Sequence, residues 1–238
     1  MKERPIIFSG DRVRAILEGR KTRTRRVMKY QLIERDYTVN EQTAKVNVMP
    51  LPNGKVVYPG GTLAQGYPSL AEYCPYGKVG DQLWVRETFY DDLGTRRNEA
   101  ERLSREHDYY RADGEASQQF EDWMDLRWSS PIQMPRWASR ITLEITSVRV
   151  ERVQDISETD AIAEGINPTV FDEFDIAEIK FEDPECMEAK VLDILGPVQI
   201  PAKVNFMTLW DKINGKTHSW ASNPFVWVLE FKRIEEAK

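Results

Sequence analysis

Cysteine and histidine are nearly absent from this 238-residue chain, which has two of each: Cys74, Cys186, His107 and His218. Two cysteines allow at most one disulfide, which excludes a disulfide-stapled scaffold. No pair among these four soft ligands has a zinc-like spacing, so no metal site is expected. No apolar run approaches the roughly 18 residues that a membrane-spanning helix needs. The opening MKERPIIFSG lacks the apolar stretch of a signal peptide. There is no internal repeat. There is also no glycine-rich phosphate loop, because Gly60-Gly61 is not followed by Lys-Ser/Thr and a helix. These absences lead us to expect a cytoplasmic protein with no membrane attachment and no cofactor.

What is present suffices for a packed core. The chain is 41% hydrophobic, 11% aromatic and 30% charged, a composition able to offset the entropy of ordering. Its length fits one large domain or two small ones. We expect one, spanning 1–238, because the poorly patterned stretches at about 29–76, 91–130 and 167–201 read as insertions without cores of their own. The net charge of −6 is unevenly spread. Between Asp11 and Lys29 stand Arg12, Arg14, Arg20, Lys21, Arg23, Arg25, Arg26 and Lys29 against only Asp11 and Glu18. That segment carries +6 and leaves −12 for the remainder. Such concentration points to a local anion site rather than a nucleic-acid-coating surface, although a solvated charged hairpin would look the same.

Pro5 to Phe8 reads as a short buried strand. Ser9 or Asp11 can cap a helix carrying Val13, Ile16 and Leu17, which Gly19 ends. The run Lys21 to Met28 alternates basic residues with threonines. This predicts a strand with Lys21, Arg23 and Arg25 on one face and Thr22, Thr24 and Arg26 on the other. In the first insertion at most a hairpin around Asn53-Gly54 is expected, and the charge-rich Glu99–Glu106 run of the second suggests some helix. Gln82 to Phe89 is a further extended run. Ile141, Leu143 and Ile145 alternate with polar residues until the phase slips at Ser147, which predicts a bulge or a sharp bend. Ser157 caps a helix with an acidic first turn, and Gly165 ends it. Val204 to Ile213 is an amphipathic helix with Phe206, Leu209, Trp210 and Ile213 at core spacing. Phe225 to Phe231 is a closing strand. The expected class is α+β: a compact β-barrel with short helices and long loop insertions.

Several segments carry a family likeness. Gly19-Arg20-Lys21-Thr22-Arg23-Thr24-Arg25-Arg26 matches a G-x-K-T-x-T-x-R strand that follows the first helix of ASCH domains. Gly80 to Glu87, Ala161 to Gly165 and the closing strand match further segments. The sequence therefore resembles the ASCH family, small PUA-like β-barrels. MKERPIIFSG, MPRWASRITLEI and Leu209 to Gly215 look most like its phage- and prophage-encoded members, which would place the protein in the host cytoplasm. The likeness covers roughly half the chain and omits the three insertions.

One branch of that family comprises bacterial amidohydrolases that remove the acetyl group of 4-acetylcytidine. By resemblance, their catalytic Lys, Thr and Glu fall on Lys21, Thr24 and Glu164. Amide hydrolysis needs a nucleophile, a base to activate it and an acid for the leaving amine. The cations around Lys21 disfavour its protonated form, so its amine can act as base for the Thr24 hydroxyl. Glu164 serves as acid if burial raises its pKa. Residues three apart on a flat strand face opposite sides, so Lys21 and Thr24 converge only if the backbone turns between them. Arg20, Arg23, Arg25, Arg26 and Arg86 are candidates for binding phosphate or nucleic acid. Trp84 and Trp137 are candidates for stacking on a base, whereas tryptophans more often serve a core. The expected partner is a nucleoside or RNA. The expected function is hydrolysis of an acylated nucleoside; the alternatives are a non-catalytic RNA or modified-base binding module, or a ribonuclease.

Overall fold

The chain begins with a strand, a short helix and a basic strand, in the order the spacing predicts. The computed structural model describes residues 1–39, 42–52, 56–57, 70–91, 108–113, 128–166, 169–171 and 198–234. In chain order these form β1 (Glu3–Ile7), α1 (Gly10–Leu17), β2 (Arg23–Val27), β3 (Ile33–Val39), β4 (Gln42–Pro50), β5 (Val56–Val57), β6 (Gln82–Arg86), β7 (Phe89–Asp91) and β8 (Asp108–Tyr110). There follow β9 (Thr142–Arg152), α2 (Glu158–Ala163), β10 (Thr169–Phe171), β11 (Val198–Ile200), α3 (Ala202–Asn214) and β12 (Phe225–Ile234). Short 3-10 turns join several of them.

The main sheet is mixed and five-stranded, in the order β1-β6-β9-β12-β2, with β1 parallel to β6 and the other pairs antiparallel. A closed barrel was expected, and this is a correction: no ladder joins β1 to β2. Side chains span that seam instead. Arg26 Nη2 of β2 donates to the Ile7 carbonyl of β1 at 2.6 Å, and its guanidinium lies 5.1 Å from the Phe8 ring centre. β1 is thus an edge strand. The run was expected to be a buried strand, but its side chains alternate, so Ile6 is buried while Ile7 remains 41% exposed.

The predicted bulge is present. Glu230 pairs with Ser147 and Phe231 with Ile145, so Thr146 is the extra residue of β9. One face of the sheet covers a core that includes Phe8, Val13, Ile16, Leu83, Leu143 and Leu229. On the other face Val226 and Val228 pack with Ala161 of α2 and with Phe206 and Trp210 of α3. Ile213, expected in the core, is 54% exposed, because the buried stripe of α3 runs through Ala202, Phe206 and Trp210.

The first insertion corrects the reading of poor periodicity. β3, β4 and β5 form an antiparallel three-stranded sheet, in which β4 pairs with both β3 and β5. The turn signal at Asn53-Gly54 lies outside the described residues. The prolines and glycines that interrupt the pattern fall mostly after this sheet. Met49 and Val57 belong to the main core. The second and third insertions contribute the pairs β7–β8 and β10–β11. The Glu99–Glu106 run, His107 and Cys186 lie outside the described residues. No described helix is long and apolar enough to cross a membrane.

Candidate functional site

The site forms where the end of α2 meets the chain entering β2. Ser157 Oγ accepts from the Asp160 amide at 3.1 Å and starts α2; Gly165, at φ +85°, ends it. The positive φ suits glycine, and so does the space: a Cβ there would stand 2.8 Å from the Ala15 Cβ and 3.1 Å from the Lys21 Cβ. The helix end can therefore lie flat against α1 and Lys21. Lys21 and Glu164 form an isolated β-bridge, and Thr22 N donates to the Ala163 carbonyl at 2.9 Å. Lys21 consequently precedes β2 rather than continuing its alternation. The break in alternation falls between Lys21 and Thr24, but the partners of Lys21 Nζ are Glu164 and the Arg23 carbonyl, not the Thr24 hydroxyl.

Lys21 has no exposed side-chain surface. Its Nζ donates to Glu164 Oε2 at 2.6 Å, to the Glu164 carbonyl at 2.8 Å and to the Arg23 carbonyl at 2.6 Å. Three acceptors satisfy the three donors of an ammonium. Arg25, also buried, donates to Glu151 Oε1 at 2.6 Å, Asp160 Oδ2 at 2.7 Å and Glu164 Oε1 at 3.3 Å. Arg23 pairs with Asp160 and Glu230, and Arg149 with Glu151, Asp160 and Glu230. Four cations (Lys21, Arg23, Arg25, Arg149) thus face four anions (Glu151, Asp160, Glu164, Glu230), and the network is neutral within itself. Charges buried at this depth persist only when paired in this way.

Burial pushes the Lys21 amine down to about 8 against the pull of Glu164, with the charges of Arg12 and Arg26 adding to the fall. Like charges were expected to do this; burial is the larger cause. Glu164 differs from expectation. Burial does push its carboxyl up, but the charges of Lys21 and Arg25 outweigh burial and hold it below the ordinary carboxylate range. Glu164 is therefore an anion that accepts hydrogen bonds, with no proton to give in this state.

Glu164 also lines a cleft of about 250 Å³, together with Arg12, Arg25, Arg26, Tyr76 and the α3 aromatics Phe206 and Trp210. Lys21 lies one hydrogen bond behind that lining. Thr24 is fully buried, and its Oγ1 has no hydrogen-bond partner. The structure therefore joins Lys21 directly to Glu164 and leaves the Thr24 hydroxyl unengaged.

The arginines expected to form one phosphate-binding patch are dispersed. Arg20 pairs with exposed Glu18 and reaches the Gly165 carbonyl at 3.2 Å. Arg23 and Arg25 are committed to carboxylates. Arg86 lies on β6, its guanidinium 4.8 Å from the Trp84 ring centre and its Nε buried without a partner. Trp84 is itself buried, and Trp137 packs against the Phe89, Tyr110 and Met134 cluster. Neither tryptophan lines the cleft. The aromatics that do, Tyr76, Phe206 and Trp210, were missed as site residues. Phe206 and Trp210 gave only a core signal, and Tyr76 fell in a stretch read as insertion. Arg12 stood in the basic run with nothing to set it apart.

Among the described residues no group of three His, Cys, Asp or Glu is placed to hold a metal ion. Comparison with family models, with curated proteins and with solved structures gives no match to this chain.

Proposed function

We propose that this protein is a nucleoside-directed amidohydrolase that removes an acyl group from an exocyclic amine such as that of 4-acetylcytidine. The observation that carries the reading is the fully buried Lys21–Glu164 pair at 2.6 Å, with the amine lowered to about 8, directly behind a cleft walled by aromatic and cationic side chains. The motif resemblance supplies the substrate. In this reading the Thr24 hydroxyl adds to the acyl carbonyl and passes its proton to the neutral Lys21 amine. The resulting ammonium protonates the departing exocyclic amine, and water then hydrolyses the Thr24 ester. Glu164, as an anion, orients and stabilises the lysine rather than supplying the proton. A second reading, binding of a nucleoside or RNA without chemistry, is favoured by one observation: the Thr24 hydroxyl is buried and makes no hydrogen bond.

Incubation with 4-acetylcytidine separates the two. The wild type is expected to release cytidine and acetate, and Lys21→Met to lose about 10²–10⁴ of the rate, the usual worth of a general base. Thr24→Val is expected to fold as the wild type does, because no hydrogen bond is broken, and to be inactive. A wild-type rate equal to buffer, with cytidine still bound, makes the binding module the correct reading.

A further inference from the structure

The basic run between Asp11 and Lys29 is largely spent on internal pairs. Arg14 pairs with Asp11, Arg20 with Glu18, Arg23 with Asp160, and Arg25 with Glu151, Asp160 and Glu164. Arg12 and Arg26 are different. Both line the cleft, and among the described residues no carboxylate forms an ion pair with either. Arg26 has one acceptor, the Ile7 carbonyl at 2.6 Å, and its Nε is buried without a partner. The adjoining charge network is neutral, so these two guanidiniums are a surplus of two positive charges at one small cavity of an acidic protein. Each disfavours the charged state of the buried Lys21. Holding two unpaired cations against a partly desolvated wall is costly unless an anion joins them.

We infer that the ligand of this cleft carries a phosphomonoester bound by Arg12 and Arg26, so that the substrate class is a nucleoside monophosphate rather than a bare nucleoside. The inference deepens the proposed function and rests on it for the nucleoside part. Charge supports it: a phosphomonoester carries about −1.5 to −2 at neutral pH, which matches the surplus. Chemistry supports it too, because guanidinium groups recognise phosphate oxygens through parallel N–H donors. Size favours a mononucleotide over a polymer, since a cleft of about 250 Å³ lies just below the usual range of small-ligand pockets. Phe206, Trp210 and Tyr76 offer aromatic surface for the base.

Calorimetric titration of the full-length protein with cytidine 5′-monophosphate and with cytidine tests this. The monophosphate is expected to bind at least about tenfold more tightly, a factor that one good charge-assisted contact can supply. In Arg12→Gln and in Arg26→Gln the advantage is expected to shrink about tenfold or more while cytidine affinity stays within about twofold. Arg12 is half-buried on α1 and makes no hydrogen bond or ion pair among the described residues, so its variant keeps the test open if Arg26→Gln does not fold. Equal affinity for the two ligands overturns the inference, and so does an advantage that survives Arg12→Gln. A short cytidine oligonucleotide without a terminal phosphate that binds more tightly than the monophosphate overturns it in favour of RNA. The outcome is independent of turnover: a protein without hydrolytic activity that retains the monophosphate advantage refutes the proposed function and leaves this inference standing. A hydrolase with no such advantage does the reverse.

Discussion

An amine surrounded by three acceptors keeps its proton unless the surroundings make the neutral form cheaper, and at Lys21 burial does so. Burial holds the Lys21 amine down at about 8, well below the ordinary lysine range, despite the pull of Glu164. As a base it works only when neutral, so the active fraction rises with pH through about 8 and falls roughly tenfold per unit below it. We expect kcat/KM for 4-acetylcytidine to climb from about pH 6 and level off about one unit above 8, measured where circular dichroism shows the protein folded. A flat profile over that range would remove Lys21 from the role of base. The sequence made the cause of this shift half legible. The neighbouring cations could be counted, but the depth of burial, which matters more, depends on α2 closing over the lysine.

α2 and α3 depend on each other at their first turns. α3 begins after Pro201, which has no side-chain acceptor for the free amides of the first turn. Glu158 of α2 supplies the acceptors instead: its carboxylate takes hydrogen bonds from the Ala202 amide and, at 3.0 Å, from the Lys203 amide. A carboxylate at a helix N-terminus also meets the positive end of the helix dipole. Glu158→Ala is expected to cost about 1 kcal/mol, the usual worth of a lost cap, read from the midpoint of urea unfolding with an unchanged slope. Glu158→Gln should cost less, because its amide oxygen can still accept one of the bonds. No loss in either variant would mean that α3 is held by Phe206 and Trp210 alone. Ser157, Gly165 and the Thr146 bulge were readable from adjacent residues. The cap of α3 was not, because its donor and acceptor are 44 and 45 residues apart.

At the scale of the molecule, one core draws residues from β1, α1, β4, β5, β6, β9 and β12. The order β1-β6-β9-β12-β2 places the first strand and the basic strand at opposite edges, with Arg26 spanning the open seam. Opening either edge exposes the same core. We therefore expect urea unfolding followed by tryptophan fluorescence and by far-ultraviolet circular dichroism to give coincident single transitions. Two separated transitions would show that the β3–β4–β5 sheet, or the α2–α3 layer, unfolds on its own.

Within the residues described, the sequence by itself determined the local elements: the β2 and β12 strands, the start and end of α2, the helical period of α3 and the bulge in β9. All of these follow from period, propensity and capping among residues within about a dozen positions. Tertiary structure decided the rest. It left the sheet open between β1 and β2, turned Ile213 outward, and built a sheet from β3–β5 where prolines and glycines nearby had masked the pattern. Above all it selected which cations are paired. Lys21 meets Glu164 across 143 positions and Arg25 meets Glu151 across 126, whereas Arg12, one position from Asp11, forms no ion pair among the described residues and feels Glu164 only across the cleft. Coulomb energy falls with distance in space and takes no account of distance along the chain. A count of charges along the sequence therefore located the basic segment, and only the fold could separate the arginines that hold the protein together from the two left to hold a ligand.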